Sequence, residues 1–290
     1  MKTTRLFAIA LAAVLALSGC APTQAESQKF QIVASTNVWG SIAAAIGGDK
    51  VEVTSIIDNA NKDPHSYEAT ARDQLAVEKA DLVIANGGGY DDFIDTMSQA
   101  AGNKQIFRAS SAVTSVAWQE NEHLWFSLQA VAEVAAALAD TLASIDGENA
   151  QTYLANSTAY LAELTTLAGE VGKLKNITNG YSYFGTEPLA VWLMADLGFT
   201  DKTPAEFAEA IENETDVPPV TMKESLDLIA SGKLNYLVIN AQTQNSQVQQ
   251  IIDAARDAGL RAVVLSEILP EGESYLTWMA ANLKTLNPGM

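Results

Sequence analysis

Apolar positions along this chain fall into two alternating patterns. Short runs of β-branched and aliphatic residues are followed by stretches in which apolar side chains recur every three or four positions. Phe30-Gln31-Ile32-Val33-Ala34-Ser35 reads as a first strand, and Thr36-Asn37-Val38-Trp39-Gly40 turns into an Ala/Ile helix ended by Gly47-Gly48. Val51–Ile57 is a second strand by its β-branched content. Thr70 followed by Asp73 resembles a capping box and predicts a helix carrying Leu75, Val77 and Ala80. Residues 81–86 are nearly continuously apolar, as expected of a strand buried on both faces of a parallel sheet. Gly87-Gly88-Gly89 closes it as a tight turn and matches neither a dinucleotide nor a P-loop fingerprint. A helix from Asp91 and a strand around Gln105-Ile106-Phe107 complete a βα-alternating lobe.

A helix is predicted to start near Ser127, and Asp146-Gly147 interrupts its pattern. From 148 to 174 apolar residues keep helical spacing, including Tyr153, Tyr160, Leu164, Val171 and Leu174. A helix of that length runs about 40 Å. It reads either as a stiff connector between two lobes or as an ordinary core helix. The alternation then resumes. Tyr181-Ser182-Tyr183-Phe184 is a strand, and Thr186-Glu187-Pro188 begins a helix through Leu189, Trp192, Leu193 and Leu197, with Pro188 in its first turn. Thr221 with Glu224 reads as a capping box for a helix to Ala230. Tyr236–Asn240 is a buried strand, followed by a helix through Val248, Ile251, Ile252 and Ala255. Ala262-Val263-Val264-Leu265 is the last strand, and a terminal helix runs through Tyr275, Trp278, Met279 and Leu283. The expected class is α/β, divided into a lobe over 29–145, a connecting helix over 146–176 and a second lobe over 177–290.

The first residues belong to a different category. Lys2 and Arg5 precede an apolar run at 6–17 that is short for a membrane span, so 1–19 reads as a signal peptide. No later run approaches the ~20 apolar residues of a transmembrane helix. Leu17-Ser18-Gly19-Cys20 resembles a bacterial lipobox, which makes Cys20 a lipidation site and 20–28 a lipidated tether; an ordinary secretory signal is the alternative. Cys20 is the only cysteine, so the exported domain has no disulfide, thiolate ligand or cysteine nucleophile. Removing Lys2 and Arg5 from the 17 basic residues leaves 15 against 35 acidic ones, and formal charge moves from −18 to −20. That surface argues against nucleic-acid binding. It draws cations, although solubility alone also accounts for it.

Candidate chemistry centres on Lys62-Asp63-Pro64-His65-Ser66-Tyr67-Glu68, just after the second strand. Proline biases Asp63 away from helix and leaves His65 on a loop. His65 and His123 are the only histidines, so a metal or proton-transfer hypothesis starts from them. Taken singly, His65 also reads as a residue that simply caps a turn.

Four segments together resemble the metal-binding lipoprotein receptors of ABC importers, the zinc/manganese solute-binding family. They are Ser35-Thr36-Asn37-Val38-Trp39-Gly40, Asp63-Pro64-His65-Ser66-Tyr67-Glu68, Asn121-Glu122-His123-Leu124-Trp125 and Ser266-Glu267-Ile268-Leu269. The resemblance implies two α/β lobes bridged by one long rigid helix, with one divalent metal ion as cargo in the interlobe cleft. It matches the ligand positions to His65, His123, Glu187 and Glu267. The chain departs from the family pattern in places. Glu267 stands where aspartate is usual, Glu122 and Ser127 replace an expected proline and aspartate, and Glu271 competes for the fourth role. On the residues alone, Glu187 also reads as a helix N-cap carboxylate and Glu267 as part of a solvated acidic loop.

Two neutral imidazoles and two carboxylates balance a dication. Zinc takes such a set tetrahedrally at about 2.0–2.2 Å, whereas Mn2+ prefers more oxygen and tolerates six-coordination. The glutamate pair therefore favours Mn2+ over Zn2+, although intrinsic affinity runs the other way. Residues 110–121 also lack the histidine-rich loop that zinc-type relatives often carry. Both imidazoles must be neutral to ligate, so affinity is expected to fall as pH drops through ~6.5. The resemblance further implies a monomer delivering metal to ABC permease membrane subunits, held to the membrane by its lipid anchor. Rival readings are a metal-dependent hydrolase, with Glu122 or Glu68 as base, and a structural or adhesive surface lipoprotein. No HExxH or GxSxG motif supports the hydrolase.

Overall fold

A computed structural model describes residues 29–289 apart from positions 60, 61, 63, 65, 66, 120 and 244. The stretch read as a signal peptide, Cys20, the stretch read as a tether, and His65 lie outside the described residues.

Two four-stranded, all-parallel sheets organise the chain. The first contains β1 (Phe30–Thr36), β2 (Val51–Ile57), β3 (Leu82–Ala85) and β4 (Ile106–Arg108) in the order β2-β1-β3-β4. The second contains β5 (Ser182–Gly185), β6 (Thr200–Asp201), β7 (Tyr236–Asn240) and β8 (Arg261–Leu265) in the order β6-β5-β7-β8. Each lobe thus repeats one topology: the second strand pairs on one side of the first, and the chain then crosses to the other side. That reversal opens a crevice at the carboxyl ends of the two central strands, the usual ligand position in open α/β sheets. β3 and β7 are buried along their whole length, which explains their unbroken apolar sequences.

Helices cover the sheets. In the first lobe they are α1 (Asn37–Gly47), α2 (Ala71–Lys79), α3 (Phe93–Ala100) and the single turn α4 (Ala109–Ala112). Thr70 and Asp73 form the expected reciprocal capping box at α2. α5 (Leu128–Ile145) starts from Ser127, whose hydroxyl accepts from Ala130 N at 3.2 Å. By length and composition α5 is apolar enough to cross a membrane, contrary to the expectation that no later run is. Its stripe of Val131, Val134, Leu138 and Leu142 is buried in the protein core, where it packs as a core helix.

α6 (Ala150–Thr178) is the long helix, 29 residues and about 43 Å at 1.5 Å per residue. Its buried positions are Tyr153, Ser157, Tyr160, Leu164, Leu167, Val171, Leu174 and Thr178, a strict alternation of four- and three-residue steps. The two readings of this segment merge, because α6 joins the lobes and also belongs to the core. One apolar cluster contains Ile32 and Ile84 of the first sheet, Leu164 and Val171 of α6, and Tyr183 and Val238 of the second sheet.

The second lobe departs from expectation in three places. No helix begins at Thr186-Glu187-Pro188; residues 186–190 are a bend and turn, and α7 is only Val191–Asp196. β6 and α8 (Ala205–Glu212) occupy a stretch in which no element is predicted. α9 (Pro219–Ala230) starts from Pro218-Pro219, not from a Thr221–Glu224 box. With Pro219 at its first position, Thr221 already lies inside the helix, and its hydroxyl donates to Glu206. α10 (Ser246–Asp257) and α11 (Tyr275–Leu286) follow the expected pattern, α11 with a Ser274–Thr277 capping box.

Candidate metal site

The two crevices face one another, and hydrogen bonds between the lobes frame the space. Asn37, at the start of α1, clamps the backbone of Leu269 through both amide atoms, each at 2.9 Å. Asn121 Nδ2 donates to Pro188 O at 2.7 Å, and Tyr275 OH donates to Trp125 O at 2.7 Å. These contacts fix the loops that carry His123, Glu187 and Glu267.

His123 is 1 % exposed. Its backbone N–H donates to Asn121 Oδ1 at 3.1 Å, and a 3-10 turn, Leu124–Phe126, follows it. Its ring meets Trp125 edge-on at 5.3 Å and Tyr90 at 6.1 Å between centroids. Behind it, the turn after β3 is held by Asp91, whose carboxylate accepts from Asn86 N at 2.6 Å and Gly87 N at 2.8 Å. Burial pushes the Asp91 carboxyl above the usual range, although these donors and Ser35 oppose it. Gly87, Gly88 and Gly89 all have positive φ, so the tight turn expected of them is present and glycine suits it. It presents Tyr90 to the cleft.

Glu267 is also 1 % exposed, which removes the solvated-loop reading. Its carboxylate accepts from Tyr90 OH of the first lobe and from Asn240 Nδ2 of the second, both at 2.8 Å. Its backbone N–H donates to Gln242 Oε1 at 3.0 Å. Asn240 Nδ2 donates to Glu187 as well, and Thr243 Oγ1 donates to the other oxygen of Glu187. Glu187 is therefore not an N-cap carboxylate. It is drawn toward the end of β7 and joined to Glu267 through one shared amide. Glu271 is exposed.

One residue at the site was not read from the sequence. Glu212, the last residue of α8, joins His123 and Glu122 in a group whose ligand atoms all lie within 4.8 Å of one another. Burial first, then the charges of Glu122, Glu187, Glu267 and Glu209, pushes the Glu212 carboxyl from 4.5 up to about 8. The available signal was Phe207, Ala210 and Ile211 at helical spacing after Pro204, which marks a helix ending at this glutamate. Glu187 and Glu212 also line a polar cavity of about 320 Å³ with Glu214, Asp216 and Thr243. Imidazole and carboxylate groups converging between two sheets suit a borderline cation that accepts nitrogen and oxygen.

Comparison with known proteins decides the family. The model of the zinc-uptake complex component A periplasmic family, ZnuA, matches residues 32–289. The chain belongs to this family. It is 25 % identical over 315 residues to the manganese ABC transporter substrate-binding lipoprotein scaA of Streptococcus gordonii, covering all of this chain and 99 % of the relative. It is 24 % identical over 246 residues to the manganese-binding lipoprotein MntA of Halalkalibacterium halodurans, covering 76 % and 81 % of the two chains. An iron ABC transporter substrate-binding lipoprotein, MtsA of Streptococcus pyogenes, is 25 % identical over 316 residues, covering 100 % and 99 %. The fold agrees with FpvC from Pseudomonas aeruginosa, solved with Mn2+, at a TM-score of 0.76 and 23 % identity over 89 % of this chain and 97 % of that one. The periplasmic zinc binding protein TroA from Treponema pallidum also gives 0.76, at 19 % identity over 89 % and 98 %. The ZnuA-type fold is two parallel-sheet α/β lobes joined by a long helix.

Proposed function

We propose that this protein captures a divalent transition-metal ion outside the cytoplasm and delivers it to the membrane subunits of an ABC import permease. The cargo is Mn2+ in preference to Zn2+. Its ligands are His65, His123, Glu187 and Glu267, and Cys20 carries the lipid anchor that keeps the monomer at the membrane. The work is binding and release, with no reaction catalysed.

The observation that carries this reading is the polar junction between the lobes. Buried Glu267 is hydrogen-bonded from both sides, and Asn240 ties it to Glu187 near buried His123. Two carboxylates sharing one amide donor in a buried cleft repel one another, and a dication between them would relieve that repulsion. Burial of Glu267, against exposed Glu271, supports Glu267 as the fourth ligand. The oxygen-rich set supports manganese. Curated relatives named as manganese and iron receptors support a transition-metal cargo and a permease partner.

The test is the metal content of His65→Ala, His123→Ala and Glu187→Ala variants dialysed against Mn2+ and against Zn2+. Each variant is expected to lose the bound ion while remaining folded. Retention of a full equivalent by all three would overturn the assignment.

A further inference from the structure

The two carboxylates proposed as ligands accept hydrogen bonds from donors within the protein. Glu187 accepts from Asn240 and Thr243, and Glu267 accepts from Asn240 and Tyr90. Glu212 differs. Its Oε1 is buried and has no hydrogen-bond partner among the described residues. A desolvated carboxylate oxygen without a donor is a costly arrangement that a cation would offset.

Its surroundings suit a cation. Glu212 ends α8, where the partial negative charge of the helix carboxyl end collects. His123 and Glu122 approach from the opposite lobe, with the three ligand atoms within 4.8 Å of one another. Donors to one ion, each about 2.1 Å from it, stand at most about 4.2 Å apart, so small side-chain rotations close the set. Glu122, Glu187 and Glu212 are half-buried, whereas His123 and Glu267 are fully buried, so the two carboxylates of this trio stand nearer solvent than Glu267 does.

We infer that Glu122, His123 and Glu212 form an entry station, which coordinates an incoming first-row divalent cation before Glu187 and Glu267 release their donors. This rests on the reading that the cleft binds such an ion. The station supplies one nitrogen and two oxygens and leaves the remaining positions to water. His123 belongs to both sets, so an ion passes from the first set to the second by exchanging Glu122 and Glu212 for Glu187 and Glu267, with the imidazole retained. The lobes need not separate for that exchange, because the first set already spans them.

The test compares Mn2+ and Zn2+ association rates, by stopped flow on the intact chain, for the wild type, Glu212→Gln and Glu214→Gln. Glu214 lines the same cavity wall but lies outside the coordinating group. Glu212→Gln is expected to slow association by about tenfold or more. Glu214→Gln should leave the rate near that of the wild type, and the melting temperature of metal-free Glu212→Gln should not fall. An unchanged rate in Glu212→Gln overturns the inference, as does equal slowing in Glu214→Gln, which would mean long-range attraction alone. If the wild type takes up neither ion, the metal-binding reading itself fails; if it binds and Glu212→Gln associates as fast as the wild type, the entry station alone fails.

Discussion

Glu212 is the residue at which local cost and site chemistry meet most clearly. Its neighbours are His123, Glu122, Glu187, Glu267 and Glu209, four of them acidic. With its folded value pushed from 4.5 to about 8, the folded chain keeps a proton there that the unfolded chain has lost. Folding therefore takes up a proton across that window, and the metal-free protein should lose stability as pH rises through it. Glu212→Gln is expected to flatten this loss. Urea midpoints measured between pH 5 and 8 check it: parallel curves for wild type and variant would show that the carboxyl does not titrate in this way. Asn240 is the other pivotal side chain, since one amide serves both Glu187 and Glu267.

At the scale of elements, the regular parts of the fold were legible because local pattern and tertiary context agree. β7 is a run of five buried residues and reads as a strand at sight. The α2 capping box is local to four residues and appears as expected. The misreadings cluster where a distant partner intervenes. Glu187-Pro188 looks like a helix start, yet Asn240 and Thr243, more than fifty residues on, draw the Glu187 carboxylate away and the helix begins only at Val191. Thr221 looks like a cap, but the Pro218-Pro219 start places it inside α9 beside Glu206. α8 was missed because its apolar face is only Phe207, Ala210 and Ile211, and Glu212 was lost with it. The long helix was visible in its spacing, but that it belongs to the core of both lobes is a property of packing. Leu164, 3 % exposed at its middle, should cost about 2–5 kcal/mol on truncation to alanine, read from denaturant unfolding. A cost near zero would mean that α6 only tethers the lobes.

The whole molecule has one apolar cluster running from the first sheet through α6 to the second. Close-packed interiors resist continuous deformation, so wide hinge opening would have to break that cluster. Metal release is accordingly expected to reorganise the loops after β5, β7 and β8 while the lobes stay nearly fixed. Solution scattering with and without metal should give radii of gyration that agree within error. A large compaction on binding would contradict this rigidity.

The central claim is that side chains distant in sequence meet around one divalent ion in the cleft. Its most direct test is elemental analysis of the protein purified from its native host, followed by competition of Zn2+ against Mn2+ on the same preparation. The account predicts one equivalent of a first-row divalent metal per chain, Mn2+ before Zn2+. A preparation that carries no metal and acquires none from either solution would contradict it.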